Sequence, residues 1–469
     1  MVGACLPCCS RHRWPVAALG EIVSGIVFLV NYLGYMRVFW LLIALAGVWT
    51  IGARAQTRSM SLGELLELAD KNSTSIRSFE SGVLTAEAAV ESAKAERLPD
   101  ISASLSVSYL GDGYIWDRDW SNGMSVDMPH FGNNFALKVQ QAVYTGGALS
   151  SGVRLAELGK SMAELESEGN REDVHFLLVG YYLQIFQLLN QERVFRENIS
   201  LTEQVIRQMR ARVGAGTALR NDITRFELQH SRLCLQQTQV ASARCIVNRE
   251  LTTIVGLAEE VEILPDTTIA DVLPAIGMES DWQQTAAEGN VGLRKADLAV
   301  EQSIEMERRE KSALLPKVAI VAEDYLNGPV TIEVPALDNN FNYWYVGLGV
   351  SYDLSSLFKS NKKLKEARLA TIEARDRRDL ARERVETGVQ AAYTNLRTSL
   401  SELATQETQV RLANENYSVI VNRYDNDLAL ITDLVDAQNA KLEAEIGLVN
   451  AKIQVLYNYY RMLYVSGQM

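Results

Sequence analysis

The chain has 469 residues and a formal net charge of −12. An acidic balance without a basic run argues against nonspecific nucleic-acid binding, and no nucleic-acid partner is expected. Only 9 prolines and a charged fraction of 22% suit long helices, and the length allows two or three ordinary domains or one elongated one.

Residues 1–55 read as a leader. Arg37 precedes the apolar run VFWLLIALAGVWTI, and Ala53-Arg54-Ala55 forms an A-x-A cleavage pattern before Gln56. Such a signal peptide starts naturally at Met36, and its run is short for a membrane span. Residues 1–35 hold a second apolar stretch, so either the true start is Met36 or the leader is unusually long. A retained N-terminal anchor is the minor alternative. Cys5, Cys8 and Cys9 fall in this segment with no matching ligand set after them, so no metal site is read there.

Beyond the leader, helical periodicity dominates. Ser61 and Glu64 make a capping box for a helix running to about Arg97. PDISASLSVSYL follows, in which Ile101, Ala103, Leu105, Val107 and Tyr109 alternate with Ser102, Ser104, Ser106 and Ser108. That is a strand with one apolar face and one face of small hydroxyls. A polar-aromatic loop leads to a second strand, Phe135 to Tyr144, ended by Thr145-Gly146-Gly147. From Leu149 to Arg212 the helical pattern runs without proline, roughly 95 Å at 1.5 Å per residue. The turn GAGTALRND opens a further helix to about Val255, with Gly256 as C-cap. Cys234 and Cys245 share that helix, about 16 Å apart, too far to bridge each other. Pro265 and Pro274 mark 257–280 as a linker.

The order then recurs. A helix covers about 281–313, and Pro316 opens a third strand whose faces are ambiguous. NYWYVGLGVSYD is a fourth strand, with Trp344, Val346, Leu348, Val350 and Tyr352 on one face. A long helix from Ser360 to Tyr424, a turn, and a helix to Tyr464 complete the chain. Residues 156–256 align with 367–467 at one constant offset. Arg171-Glu172 meets Arg382-Glu383, Tyr182 meets Tyr393, Asp222 meets Asp433 and Gly256 meets Gly467. Identity is low, and the shared element order is the stronger sign of duplication. The organisation is therefore a leader at 1–55, a first repeat at 56–256, the linker at 257–280 and a second repeat at 281–469.

Strands of about ten residues tilted near 45° span the roughly 25 Å apolar band of an outer membrane. Trp344, Tyr109, Tyr144 and Tyr352 lie near strand ends, where aromatic girdles occur. The competing reading is a sheet covering a soluble core. Four strands cannot close a membrane barrel, and an open edge in lipid is not viable. If these strands span, several copies share one barrel; three would supply twelve strands, with Ser102, Ser104, Ser106 and Ser108 facing a wet lumen.

On these features the chain resembles the TolC family of outer-membrane efflux and secretion channels. The resemblance covers about 57–467. It rests on the duplicated layout, the strands opened by LPD and LPK, VYTGGALSSG and YDLSSLFKSNKKLKEA entering the two long helices, and RYDNDLALITDLVDAQNAKLEAE. It implies a mainly α fold with a four-stranded β contribution. Duplicated antiparallel helices form an α-helical barrel, and the strands form a transmembrane β-barrel shared in a homotrimer. The implied setting is the outer membrane of a Gram-negative cell, with a periplasmic extension. Implied partners are outer-membrane lipid, a periplasmic adaptor and an inner-membrane transporter of RND, ABC or MFS type. The expected function is a passive exit duct in a tripartite efflux pump or a type I secretion system, for small molecules or polypeptides. The alternative is a secreted periplasmic coiled-coil scaffold with a small soluble sheet.

Ala429, Asp433, Asp436 and Ala440 form one helical stripe. In a trimer the two aspartates would make stacked rings, each like-charged pair repelling by roughly 2 kcal/mol at about 7 Å. In the family, the positions of Asp433 and Asp436 line the periplasmic constriction, and Tyr424 matches a tyrosine that clamps the closed state. Ala429 stands where the family clamp has an arginine, so Asp222 lacks that cation, and Arg220 or Arg225 are candidates for closed-state contacts. The alternative reading of Asp433 and Asp436 is solvated acids near a helix N-terminus. No catalytic constellation emerges. His12, His130, His175 and His230 are scattered, YTGGALSSG lacks the lysine of a phosphate loop, and neither cofactor nor metal is expected. Arg207, Arg210, Arg212 and Arg220 form either an adaptor-docking face or a solvated basic one.

Overall fold

The computed structural model describes residues 56–266, 276–333, 336–426 and 428–469. The leader reading, Met36 and the N-terminal cysteines included, lies outside the described residues. The first half comprises β1 (Gln56–Met60), α1 (Leu62–Asn72), α2 (Thr74–Ala95), β2 (Asp100–Tyr109), β3 (Gly113–Ile115), β4 (Met124–Val126), β5 (Phe131–Tyr144), α3 (Ala148–Gly214) and α4 (Arg220–Ile254). The second comprises β6 (Val261–Pro265), α5 (Glu279–Gly289), α6 (Val291–Ser312), β7 (Lys317–Gly328), β8 (Phe341–Ser351), α7 (Ser356–Asp425) and α8 (Ile431–Ser466). With 67 and 70 residues, α3 and α7 are each about 100 Å long.

The helix expected over 61–97 starts with its capping box, Ser61 and Glu64 bonding reciprocally, but it is two helices. So is the one expected over 281–313. The breaks fall at Ser73 and Asn290, both extended, and divide each segment into helices of 11 and 22 residues. The repeat is thus carried in the interruption itself. Each break satisfies the open end of a neighbouring helix. Asn72 Nδ2 donates to the Val255 carbonyl at 3.1 Å, and Asn290 Nδ2 to the Val465 carbonyl at 2.9 Å. Gly256, next after Val255, and Gly467, two residues after Val465, take φ of 68° and 72°, the left-handed termination that favours glycine. A Cβ on Gly467 would lie 2.6 Å from the Gly289 carbonyl carbon, and one on Gly256 3.0 Å from Asn72 Cβ. The glycines matched by the internal alignment are therefore also points of close approach.

A two-stranded sheet, β1 with β6, was not foreseen. It places a strand inside the expected linker. Its core joins Met60, Leu62, Leu65 and Ile263 to Leu178, Tyr182 and Leu251 of the long hairpin. Tyr182 is its pin: the hydroxyl donates to the Met60 carbonyl at 2.9 Å and accepts from the Asp266 amide at 2.8 Å.

The larger sheet runs β2-β5-β7-β8, antiparallel throughout. Register resolves the ambiguous third strand, because directly opposed residues share a face. Ile101, Val139, Ala322 and Val346 stand in one row of the apolar face, and Ser102, Lys138, Glu323 and Tyr345 in one row of the other. On that second face the hydroxyls of Tyr325 and Tyr345 donate to Glu323, and Lys138 lies over the Tyr325 ring. Asp324 and Asn342 are polar residues on the apolar face, where Asn342 donates to Asp324 at 2.8 Å. No described residue covers the apolar face. Leu105 is 72% exposed and Leu348 73%, and among the described residues the outer edges of β2 and β8 are unpaired. A soluble sheet needs a core behind it, and the described residues supply none.

Tyr182→Phe keeps the ring and deletes the hydroxyl, and with it the bonds to the Met60 carbonyl and the Asp266 amide, each worth about 0.5–1.5 kcal/mol net. Amide exchange should accelerate at least about tenfold in β1 and β6 while the middle of α7 keeps its protection. Hydrogen exchange by mass spectrometry measures both.

Candidate functional site

The α3–α4 and α7–α8 turns meet at one end, around a shared core. Val205, Ile206, Met209, Phe226, Tyr424 and Leu434 are buried there together, with Ile223, Ile431 and Val435 against them. Helices α4 and α8 leave this tip in the same way. Each has a leucine N-cap, Leu219 or Leu430, in extended backbone. A leucine side chain cannot cap, so only half of a capping box exists. The N-cap amide donates to the aspartate three residues on, Leu219 to Asp222 at 3.2 Å and Leu430 to Asp433 at 2.9 Å. Both carboxylates also lie at the positive end of their helix, where negative charge is favoured.

The structure puts Asp433, Asp436 and Ala440 on the exposed side of α8, with Leu434, Ala437 and Gln438 buried. From Asp433 to Ala440 the expected stripe is therefore a surface, backed by packing, whereas Ala429 precedes the N-cap and packs half-buried against the tip core. Tyr424 is buried; its hydroxyl donates to the Met209 sulfur at 3.2 Å, and the Arg212 guanidinium stands 5.0 Å from its ring centroid. Arg212 also donates to the Asp425 carbonyl at 3.3 Å. These contacts tie the end of α3 to the end of α7, and sequence reasoning missed them. In sequence Arg212 is indistinguishable from Arg207, Arg210 and Arg220, and only the packing of Tyr424 draws it inward. Arg210 pairs with Glu227 at 2.8 Å and Arg207 with Glu203 at 3.8 Å, so three of the four tip arginines are engaged within the chain. Arg220 and Arg225 are exposed on α4.

Above the tip, polar contacts hold the two hairpins in register. Gln438 donates to Thr202 at 2.8 Å, Asn198 to Glu445 at 3.2 Å, and Gln229 to Asn439 at 2.6 Å. Farther along α3, Glu172 is half-buried. Burial first, then the neighbouring Glu168 and Asp173, pushes its carboxyl up to about 7. The Tyr464 hydroxyl donates to Asp173 at 2.5 Å; burial and that bond push the phenol up to about 12. Among the described residues no group of three or more His, Cys, Asp or Glu side chains is arranged to hold a metal.

The family model described as outer membrane efflux protein matches residues 65–257 and 282–467. The outer membrane efflux protein BepC of Brucella suis biovar 1 (strain 1330) is 20% identical over 431 residues, covering 91% of this chain and 89% of BepC. Two solved structures share the fold at 15% identity, each over 87% of this chain. The outer membrane protein VceC of Vibrio cholerae has a TM-score of 0.71 and is covered over 96% of its length. The outer membrane channel CmeC of Campylobacter jejuni has a TM-score of 0.71 and is covered over 85%.

Because the Glu172 carboxyl is raised above its ordinary value of 4.5, the folded protein binds the proton more tightly than the unfolded chain. Its contribution to stability is fully present below that value and is lost as pH rises through about 7. Glu172→Gln should flatten this dependence and raise stability above about pH 7, as read by thermal unfolding of both proteins across that range.

Proposed function

The chain belongs to the outer membrane efflux protein family, and on that premise we propose that it is the passive exit duct of a tripartite efflux pump or type I secretion system. It is an outer-membrane efflux channel with a periplasmic extension, of a family that is trimeric and works with pump partners. The observation that carries the finer reading is the four-stranded sheet with a bare apolar face and two unpaired edges, joined to helices of about 100 Å. Three copies close those edges on one another; lipid covers the row of Ile101 and Val346, and water meets Ser102, Ser104, Ser106, Ser108 and the Lys138–Glu323 row. The helices carry the passage across the periplasm to the tip, where a periplasmic adaptor and an inner-membrane transporter of RND, ABC or MFS type engage it. Energy comes from those partners.

At the tip, Asp433 and Asp436 form the constriction. Their exposure beside buried Leu434 and Ala437 supports this, as does the small Ala440 on the same stripe. Rings of carboxylates favour cations. Tyr424 joins the tips of α3 and α7 in the closed state, through Met209 and Arg212, and Asp222 holds the start of α4. Asp433 also caps its own helix, so Asp436 is the cleaner probe of the constriction.

In planar bilayers, Asp436→Ala should raise conductance or weaken block by polyvalent cations. Unchanged conductance and block in the double Asp433→Ala, Asp436→Ala variant would remove the gate assignment. On the sheet, Val107→Arg should impair assembly far more than Ser106→Arg, because arginine facing hydrocarbon costs up to about 2–4 kcal/mol, with the largest cost at mid-depth. Outer-membrane fractionation with a carbonate wash and native electrophoresis compares the two, and equal tolerance would count against a lipid-facing side.

A further inference from the structure

The polar face of the four-stranded sheet is not uniformly polar. On β8 it carries Phe341, Tyr343 and Tyr345 at period two, all on the half of the strand farther from the helices. Phe341 and Tyr343 stack with ring centroids 5.4 Å apart, and Tyr343 stacks across the strands on Tyr325 of β7 at 5.3 Å. Both separations suit attractive ring pairs. The hydroxyls of Tyr325 and Tyr345 donate to Glu323, the latter at 2.6 Å. Stacking and hydroxyl bonds thus fix the ring planes, while much of the ring surface stays open: Phe341 is 55% exposed and Tyr345 45%. One ring of the column already holds a cation, since the Lys138 ammonium stands 5.5 Å from the Tyr325 centroid. Among the described residues no cation stands over Phe341, Tyr343 or Tyr345. The same three rows carry Ser106, Ser104 and Ser102 on β2, so strand geometry does not itself demand rings on this face. Exposed rings in water are unfavourable, and a ligand that covers them recovers that free energy.

Resting on the channel reading above, we propose that this column is a stacking site on the inner wall of the barrel for planar aromatic cations. The flat face of the molecule lies on Phe341 and Tyr343 and displaces water from them. Its charge meets the electron-rich ring faces and the Glu323 carboxylate beside them. Glu323 holds the hydroxyls of Tyr325 and Tyr345 and is a positioning residue as well as a charge. Three copies set three such columns around the passage. The site is a hold on the wall and not a constriction, so it acts on flat aromatic molecules and leaves the flow of small ions unchanged.

Single-channel recording in planar bilayers tests this, with the probe added on the side opposite the helices. Proflavine, a planar aromatic cation, should interrupt the current, and tetraethylammonium, a cation without rings, should do so far less at equal concentration. The double variant Phe341→Ser, Tyr343→Ser should weaken proflavine block on the order of tenfold and leave the unblocked conductance at the wild-type value. Tyr343→Phe, which keeps the ring, should block like wild type. Native electrophoresis establishes that each variant assembles; where the double variant does not, Tyr343→Ser alone decides, with block weakened about threefold. Proflavine block should survive in Asp436→Ala, which separates the wall from the constriction. Equal block by the two probes in the wild type, unchanged proflavine block in the assembled serine variants, or block lost in Asp436→Ala overturns the stacking site and leaves the channel reading standing. Wild-type protein that never conducts overturns the channel reading, and the stacking site with it.

Discussion

Hydrocarbon offers no hydrogen bonds, and much of this protein's organisation answers to that fact. Among the described residues, the β2-β5-β7-β8 sheet has an unpaired backbone edge on each side and an apolar face that nothing covers. In lipid an open edge costs several kcal/mol for each unsatisfied group. In water the exposed row of Leu105, Val107, Val346 and Leu348 would invite aggregation. One arrangement removes both costs: edges closed against identical edges, with the apolar face turned to lipid and the Ser102–Lys138–Glu323–Tyr345 row turned to water. The subunit is therefore incomplete as a membrane structure, and its oligomeric state is a condition of its fold.

The helical part meets a different requirement, that of holding long rods in register. Amphipathic packing alone permits sliding by a heptad or a turn. The structure prevents this with specific polar contacts and sharp stops. Gln438–Thr202, Asn198–Glu445 and Gln229–Asn439 join particular turns of the two hairpins. At the far end the breaks at Ser73 and Asn290 dock on the last carbonyls of α4 and α8, beside Gly256 and Gly467. Tyr182 fastens the β1–β6 pair to the same region. The docked breaks and Tyr182 satisfy backbone groups that would otherwise be left open, which makes register and hydrogen bonding one problem there.

The duplication gives the tip two equivalent helix starts. Equivalent starts of α4 and α8 give two near-identical scaffolds, down to the aspartate that accepts the N-cap amide. On identical scaffolds, side chains diverge without altering the backbone. One repeat then presents Asp436 where the other presents Arg225. Tyr424 and Arg212 belong to the supporting layer behind that surface, joining the ends of α3 and α7.

Much of this was legible in the residues. Period-two alternation in ISASLSVSY and period 3.6 across the long helices are local properties, so the strands, the two long hairpins and the exposed aspartate stripe could be read directly. So could the helix end at Gly256, because a left-handed termination selects glycine. The faces of the third strand were not legible, since Val318 to Glu323 offers apolar residues on both sides and only pairing with β5 and β8 assigns them. The β1–β6 pair joins segments some 200 residues apart in the chain, and local pattern carries no trace of such a partner. Nor could sequence tell Arg212, folded in over Tyr424, from Arg220, left in water; the two are alike in residue type and neighbourhood. The sequence by itself determined what depends on nearest neighbours and periodicity: element type, length, duplication and the chemistry of each face. Tertiary structure alone decided which distant groups meet, because that follows from packing geometry summed over the whole chain rather than from any single stretch of it.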